Sequence, residues 1–128
     1  MMIPCKGASV RLRKDGIVEI RISDDHICTV EEAQDISRVI HFLGKGKPVP
    51  VLRIAGEHSS IADGVREYAA SKASQKNIIA DAIVIHSLSQ RLLGNFYLKT
   101  NRPEKPTQLF GTVKEAEEWL STFLIFLN

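Results

Sequence analysis

The sequence predicts a single α/β domain over residues 1–128, with a mixed, mostly parallel sheet in the order β-β-α-β-α-β-α-β-α. Three observations predict it. Apolar runs at strand period alternate with apolar stripes at helical period. Ser/Thr-x-x-Glu/Gln boxes at Thr29, Ser87 and Thr112 mark three helix starts. The chain has 128 residues, 44% hydrophobic and 25% charged, enough for one core and too little for two ordinary ones.

The elements follow in order. Ser9–Arg13 and Ile17–Ile22 flank Lys14-Asp15-Gly16, and Asp-Gly between two such runs predicts a hairpin with a type I′ turn. Val18, Ile20 and Ile22 share one face; Ile17, Glu19 and Arg21 share the other, expected to be mostly wet. The Thr29/Glu32 box opens a helix with Val30, Ala33, Ile36, Val39, Ile40 and Leu43 on its stripe, and Gly44 stands where a terminating glycine belongs. Val49–Ile54, apolar and β-branched, reads as an interior strand. A second helix is expected from Ser60, burying Ile61, Val65, Tyr68, Ala69 and Ala73. Ile78–Ile85 is another buried strand, interrupted by Asp81. After the Ser87 box, Leu88, Leu92, Leu93 and Phe96 predict the core face of a third helix. Gln108–Phe110 is a short strand. The Thr112 box then opens a last helix lined by Val113, Ala116, Leu120, Phe123, Leu124 and Leu127. Trp119, Phe123, Phe126 and Leu127 cover more than one stripe, so part of this surface is a candidate homodimer contact.

Charge and cysteine content narrow the function classes. Lys plus Arg is 17 against 15 Asp plus Glu, net +2, which does not point to a nucleic-acid binder. The two cysteines, Cys5 and Cys28, form no C-x-x-C pair and read as reduced thiols. The start of the chain lacks the pattern of a signal peptide, and the longest apolar run, 123–127, is far too short for a membrane span. A cytoplasmic protein without membrane insertion is expected.

The polar clusters carry little chemistry of their own. Glu57-His58-Ser59-Ser60, with Asp63 beyond, follows an interior strand, where open α/β sheets place ligands. Its residues are sequence neighbours rather than a triad, and G-x-S-x-G is absent, so capping and loop solvation account for it. Gly44-Lys45-Gly46-Lys47 follows a helix and leads into a strand, the reverse of a phosphate loop. His26, His41, His58 and His86 form no metal-binding spacing, and Asp24-Asp25-His26 reads as a solvated acidic turn. Lys99, Arg102 and Lys105 near Phe96 and Tyr97 read as a solvated loop beside core aromatics, with Tyr97 at the stripe's margin. Asp81 is expected at a strand entrance, paired with a loop or helix terminus. No catalytic residue, cofactor or metal is assigned.

The element order resembles the STAS domain fold of the anti-sigma-factor antagonists and SpoIIAA-like proteins. The stretch from Pro106 through Gln108-Leu109-Phe110 and Thr112 to Trp119-Leu120 is the most specific part, similar to the C-terminal pattern of related bacterial proteins of unassigned function. In the antagonists, an Asp-Ser-Ser/Thr-Gly motif at a helix start is phosphorylated, and the phosphate switches partner binding. Here the matching stretch is Ile61-Ala62-Asp63-Gly64. Gly64 matches the glycine, while Asp63 stands at the phosphorylated position, so the motif is degenerate; Ser59 and Ser60 lie just upstream as alternative hydroxyls.

The resemblance implies a non-catalytic regulatory module that binds a partner protein through residues 59–66, with Ser59, Ser60, Asp63, Gly64 and Arg66 as the contact residues. A second reading is a SpoIIAA-like carrier of a small apolar ligand or lipid, held between sheet and helices near Phe96, Tyr97 and Trp119.

Overall fold

The computed structural model describes residues 2–124. In chain order the elements are β1 (Met2–Cys5), β2 (Ala8–Leu12), β3 (Val18–Ile22), β4 (Ile27–Cys28), α1 (Val30–Leu43), β5 (Val49–Ile54), β6 (Ser60–Ile61), α2 (Val65–Ala69), α3 (Lys72–Gln75), β7 (Ile78–Val84), α4 (Leu88–Thr100), β8 (Thr107–Phe110) and α5 (Val113–Leu124). Six strands form one sheet in the order β1-β2-β3-β5-β7-β8. The pairs β1–β2 and β2–β3 are antiparallel; β3–β5, β5–β7 and β7–β8 are parallel. β4 and β6 pair separately, in parallel, with Ile27 opposite Ser60 and Cys28 opposite Ile61.

Each face of the sheet has its own core. On one face Val10, Val18, Ile20, Val51 and Ile78 meet Ile36, Ile40 and Leu43 of α1. On the other, Ile17, Leu52, Ile54, Ala82 and Val84 meet Ala116 and Leu120 of α5. Side chains as completely enclosed as Ile40 and Leu120 contribute about 1.5–3 kcal/mol each. Trp119 packs beside this second core, its ring centroid 5.6 Å from Phe110 and 4.9 Å from Phe123. Among the described residues no helix is long and apolar enough to cross a membrane.

Local chemistry explains the element starts. At Thr29 the box is complete: the Thr29 hydroxyl accepts from the Glu32 amide, and the Glu32 carboxylate accepts from the Thr29 amide at 2.9 Å. The Glu32 pKa is lowered, first by that amide and then by the His26 ring, while burial works against both. The other two boxes form with altered partners. Ser87 Oγ accepts from the Gln90 backbone amide, but the Gln90 side-chain Oε1 accepts from His86 N–H. The Thr112 hydroxyl accepts from the Glu115 amide and donates to its carboxylate.

Several expectations are corrected. The hairpin forms, but Gly16 alone has positive φ (94°), so its turn is not type I′. Gly16 N–H donates to the Arg13 carbonyl and Arg13 N–H to the Ile17 carbonyl, a three-residue loop closed by a glycine bulge. Asp15 Oδ1 accepts from the Ile17 amide and fixes the same loop. The face of β3 expected to be mostly wet is so only at Arg21, which stays exposed; α5 buries Ile17, and Glu19 is only 4% exposed beneath Arg11, Arg13 and Arg21. Gly44 has ordinary helical φ, and the left-handed residues are Lys45 and Gly46. No helix begins at Ser60. Ser60 and Ile61 pair with β4, and Gly64 (φ 88°) precedes the five-residue α2. Ala73 is exposed, whereas Ser74 and Gln75 are buried.

The inward face of α4 is also displaced by one residue. Leu88, Leu92 and Phe96 are 70%, 61% and 49% exposed, while Tyr97 is buried. Gly94 marks the inward side, since a Cβ there would lie 2.7 Å from Leu109. Phe126 and Leu127, proposed with Trp119 and Phe123 for a dimer contact, lie outside the described residues.

Candidate functional site

On the α1 face, the gap between α1, the 59–69 segment and α4 leaves a partly enclosed cavity of about 210 Å³. Its walls are mainly apolar: Ile22, Ile36, Val65, Ile83, Ile85 and Leu93. Arg53 of β5 and Asp81 of β7 reach it from the sheet. They sit on adjacent parallel strands, with Arg53 opposite Ile83 and Asp81 opposite Val51, so both side chains leave the same face. Asp81 is thus mid-strand, not at a strand entrance, and its partner is a strand residue rather than a loop or helix end.

Arg53 Nε donates to both Asp81 oxygens at 2.9 Å. The two terminal guanidinium nitrogens make no hydrogen bond to any described residue. Burial raises the Asp81 pKa, opposed by the charge and hydrogen bond of Arg53. Tyr97 completes the polar end. It is 8% exposed, lines the cavity, and its hydroxyl has no partner among the described residues. No fully enclosed side-chain nitrogen or oxygen lacks a partner among those residues, so these free groups reach accessible space; the Arg53 side chain is 25% exposed. Burial first, and then the Asp81 charge, push the Tyr97 phenol up to about 12; it remains a neutral hydroxyl donor.

Two pins hold the 59–66 segment against α4. Gln90 Nε2 donates to the Gly56 carbonyl at 2.9 Å and to the Ser59 carbonyl at 3.2 Å. At the other end the Arg66 guanidinium lies 4.5 Å above the Phe96 ring and donates to Asn101 Oδ1 at 3.2 Å. On the opposite flank, Ser60 N–H donates to the His26 carbonyl and Ala62 N–H to the Cys28 carbonyl.

The residues singled out from the sequence therefore separate. Ser59, Ser60 and Arg66 line the cavity; Asp63 and Gly64 do not. Asp63 is exposed. Gly64 supplies a left-handed turn, and a Cβ there would lie 3.0 Å from Val30. Ser59 faces Gln90, with Oγ 3.4 Å from its amide, and makes no hydrogen bond to His58. Phe96, Tyr97 and Trp119, grouped for a ligand from the sequence, do not share a site: Phe96 is exposed and outside the cavity lining, and Trp119 belongs to the α5 core on the opposite sheet face. The basic cluster disperses too, because Lys105 Nζ donates to the Gln75 and Ile78 carbonyls. Asp24, Asp25 and His26 are likewise used separately; Asp24 accepts from the Glu57 amide, and His26 pairs with Glu32. Cys5 and Cys28 are free thiols, and burial raises the pKa of both. Arg53 and Gln90 were missed, and Tyr97 was named for a ligand only in company with Phe96 and Trp119 rather than with Arg53 and Asp81. An arginine and an aspartate within neighbouring apolar strands were the legible signal for the first.

This arrangement, with an antiparallel opening, a parallel centre and α5 alone on one face, defines a SpoIIAA-like fold. It is shared with an uncharacterized protein of the DUF3478 family with a SpoIIAA-like fold from Shewanella loihica PV-4. The TM-score is 0.62 and the sequence identity 12%, over 88% of this chain and 91% of that one. At that identity the likeness is one of fold. No curated protein matches the sequence. The chain belongs to the family described as domain of unknown function DUF7793, which matches residues 11–124.

Proposed function

We propose that this protein is a non-catalytic, cytoplasmic binding module whose cavity takes a small, largely apolar ligand. The observation that supports this reading is the cavity itself: about 210 Å³ between well-packed layers, with apolar walls. Interiors are otherwise packed like organic crystals, so an apolar-walled space of this size is distinct from the rest of the molecule. By comparison with a 150 Å³ apolar cavity that accepts benzene, it has room for about nine non-hydrogen atoms. The test is a titration with isopropylbenzene followed by backbone NMR. Shifts are expected at Cys28, Ala55, Ile83 and Tyr97, and Ala33→Leu, which fills the space from α1, should abolish them. Absence of binding, or equal binding by Ala33→Leu, sinks the reading.

A second reading, a partner protein at residues 59–66, is favoured by one observation. Leu88, Leu92 and Phe96 form an exposed apolar line on α4, and Arg66 joins that line to the 59–66 segment. Ser59, Ser60, Asp63, Gly64 and Arg66 would then form one edge of the contact. Native mass spectrometry of protein purified gently from its own cells tests this. A bound protein of defined mass, lost in Asp63→Lys and in Leu92→Asp, is expected; retention in both variants removes the reading. The same spectra report a homodimer, or phosphate on Ser59 or Ser60.

A further inference from the structure

We infer that the cavity selects an uncharged molecule with an apolar body and one hydrogen-bond acceptor, the acceptor being held by the free terminal nitrogens of Arg53 and the hydroxyl of Tyr97. The inference rests on the ligand-cavity reading and adds the chemistry of the ligand to it. Three observations carry it.

The cavity has a polar end that the protein leaves unsaturated. Arg53 spends only Nε on Asp81, although a guanidinium can pair a carboxylate through two parallel N–H groups. Arg53 and the nine-tenths-buried Tyr97 both line the cavity, and the remaining guanidinium N–H groups and the phenolic hydroxyl can all donate. Arg53, Asp81 and Tyr97 all line the same cavity, the first two from adjacent strands and the third from α4. A ligand acceptor therefore meets donors there, while its body meets Ile83, Ile85 and Leu93.

The charge at that end is already balanced. Asp81 is 5% exposed and is held by Arg53 through both oxygens. An anionic ligand would bring a second carboxylate to one guanidinium in a poorly solvated space, where like charges repel strongly. A cationic ligand would meet the Arg53 charge and compete with it for the one carboxylate, Asp81. A neutral carbonyl, ether or hydroxyl oxygen avoids both costs.

The walls fix the size. The volume that admits isopropylbenzene admits three further molecules of the same size, about nine non-hydrogen atoms each: acetophenone, benzoate and benzamidinium. They are respectively a neutral acceptor, an anion and a cation. Transfer from water alone favours isopropylbenzene over acetophenone, because a carbonyl left unpaired in apolar space is penalised. Acetophenone can match it only where the cavity supplies a donor.

The experiment is a titration of the full chain with all four probes, repeated for Tyr97→Phe. Acetophenone is expected to bind at least as tightly as isopropylbenzene, and more tightly than either ion. Tyr97→Phe should weaken acetophenone about tenfold, the effect of one lost hydrogen bond, and leave isopropylbenzene within about twofold, which also reports an intact cavity. Tighter binding of isopropylbenzene than of acetophenone overturns the inference while leaving the cavity reading standing. So does tighter binding of either ion, or an unchanged acetophenone affinity in Tyr97→Phe. Binding of none of the four overturns the cavity reading and this inference together.

Discussion

Arg53 turns its Nε, rather than its two terminal nitrogens, toward Asp81, and the single N–H stands 2.9 Å from each carboxylate oxygen. The two residues come from neighbouring parallel strands near the middle of the sheet, so the pair ties β5 to β7 beneath the cavity.

Removing one member of that pair leaves the other charge stranded in a space that solvates it poorly. Arg53→Met is expected to lower the unfolding free energy by about 3–5 kcal/mol. The double variant Arg53→Met/Asp81→Leu should recover most of the loss, since two matched apolar side chains remove both desolvation costs. Urea denaturation of the four proteins measures this. A double variant no more stable than Arg53→Met would mean that the sheet needs the ion pair itself.

Tyr97 gives the protein an alkaline limit. Its phenol is pushed up to about 12 in the folded state, above the ordinary value of 10.0. The folded state therefore holds the proton more tightly. Its contribution is fully present below pH 10 and is lost as the pH climbs from there through about 12. Across that window the unfolding free energy should fall by roughly 2–3 kcal/mol. Denaturation curves for Tyr97→Phe should be flatter over the same range, and ultraviolet titration should lose the phenol that ionises latest.

Glu19 sets an acid limit by the opposite sign. Burial alone would raise its pKa, but hydrogen bonds and charge from Arg11 and Arg21 hold it below the usual glutamate value. Its contribution is present above the unfolded pKa of about 4.3 and is lost as the pH falls through the lower folded value. Glu19→Gln should cost about 1–3 kcal/mol at pH 7, with the difference from wild type narrowing in acid. A constant difference down to pH 2 would show that the carboxylate charge is not the source.

Much of this fold was legible because local and tertiary signals agree. Thr29, Glu32 and the Ile36/Ile40/Leu43 stripe specify α1 three times over, and Val49–Ile54 is apolar on both faces apart from Arg53 because both faces are covered. The failures came where tertiary context decides. Met2–Cys5 contains a proline and no alternation, and it becomes an edge strand only by pairing with β2. Ile61, Val65, Tyr68 and Ala69 fall at helical spacing, yet Gly64 breaks the run and Ser60-Ile61 pairs with β4. In α4 hydropathy favours Leu88, Leu92, Leu93 and Phe96, whereas packing keeps only Leu93 of these and adds Gly94, against Leu109, and Tyr97. A cavity arises from contacts that are not made, so periodicity has no means of announcing it. Only Arg53 and Asp81, opposite charges within two apolar strands, hinted at a polar end there.

The strand order also sets a timetable for synthesis. β1, β2 and β3 are neighbours in sequence and in space, so they can pair as soon as they leave the ribosome, and hairpins of this kind close in about 1–10 μs. β7 stands between β5 and β8, and β8 emerges only with Phe110. Ile17, Leu52 and Val84 then wait for Ala116 and Leu120 of α5 to cover them. The nascent chain therefore carries a finished edge and an uncovered apolar face together until α5 is made. Completion of the last helix is the step that turns an aggregation-prone sheet into a sealed one.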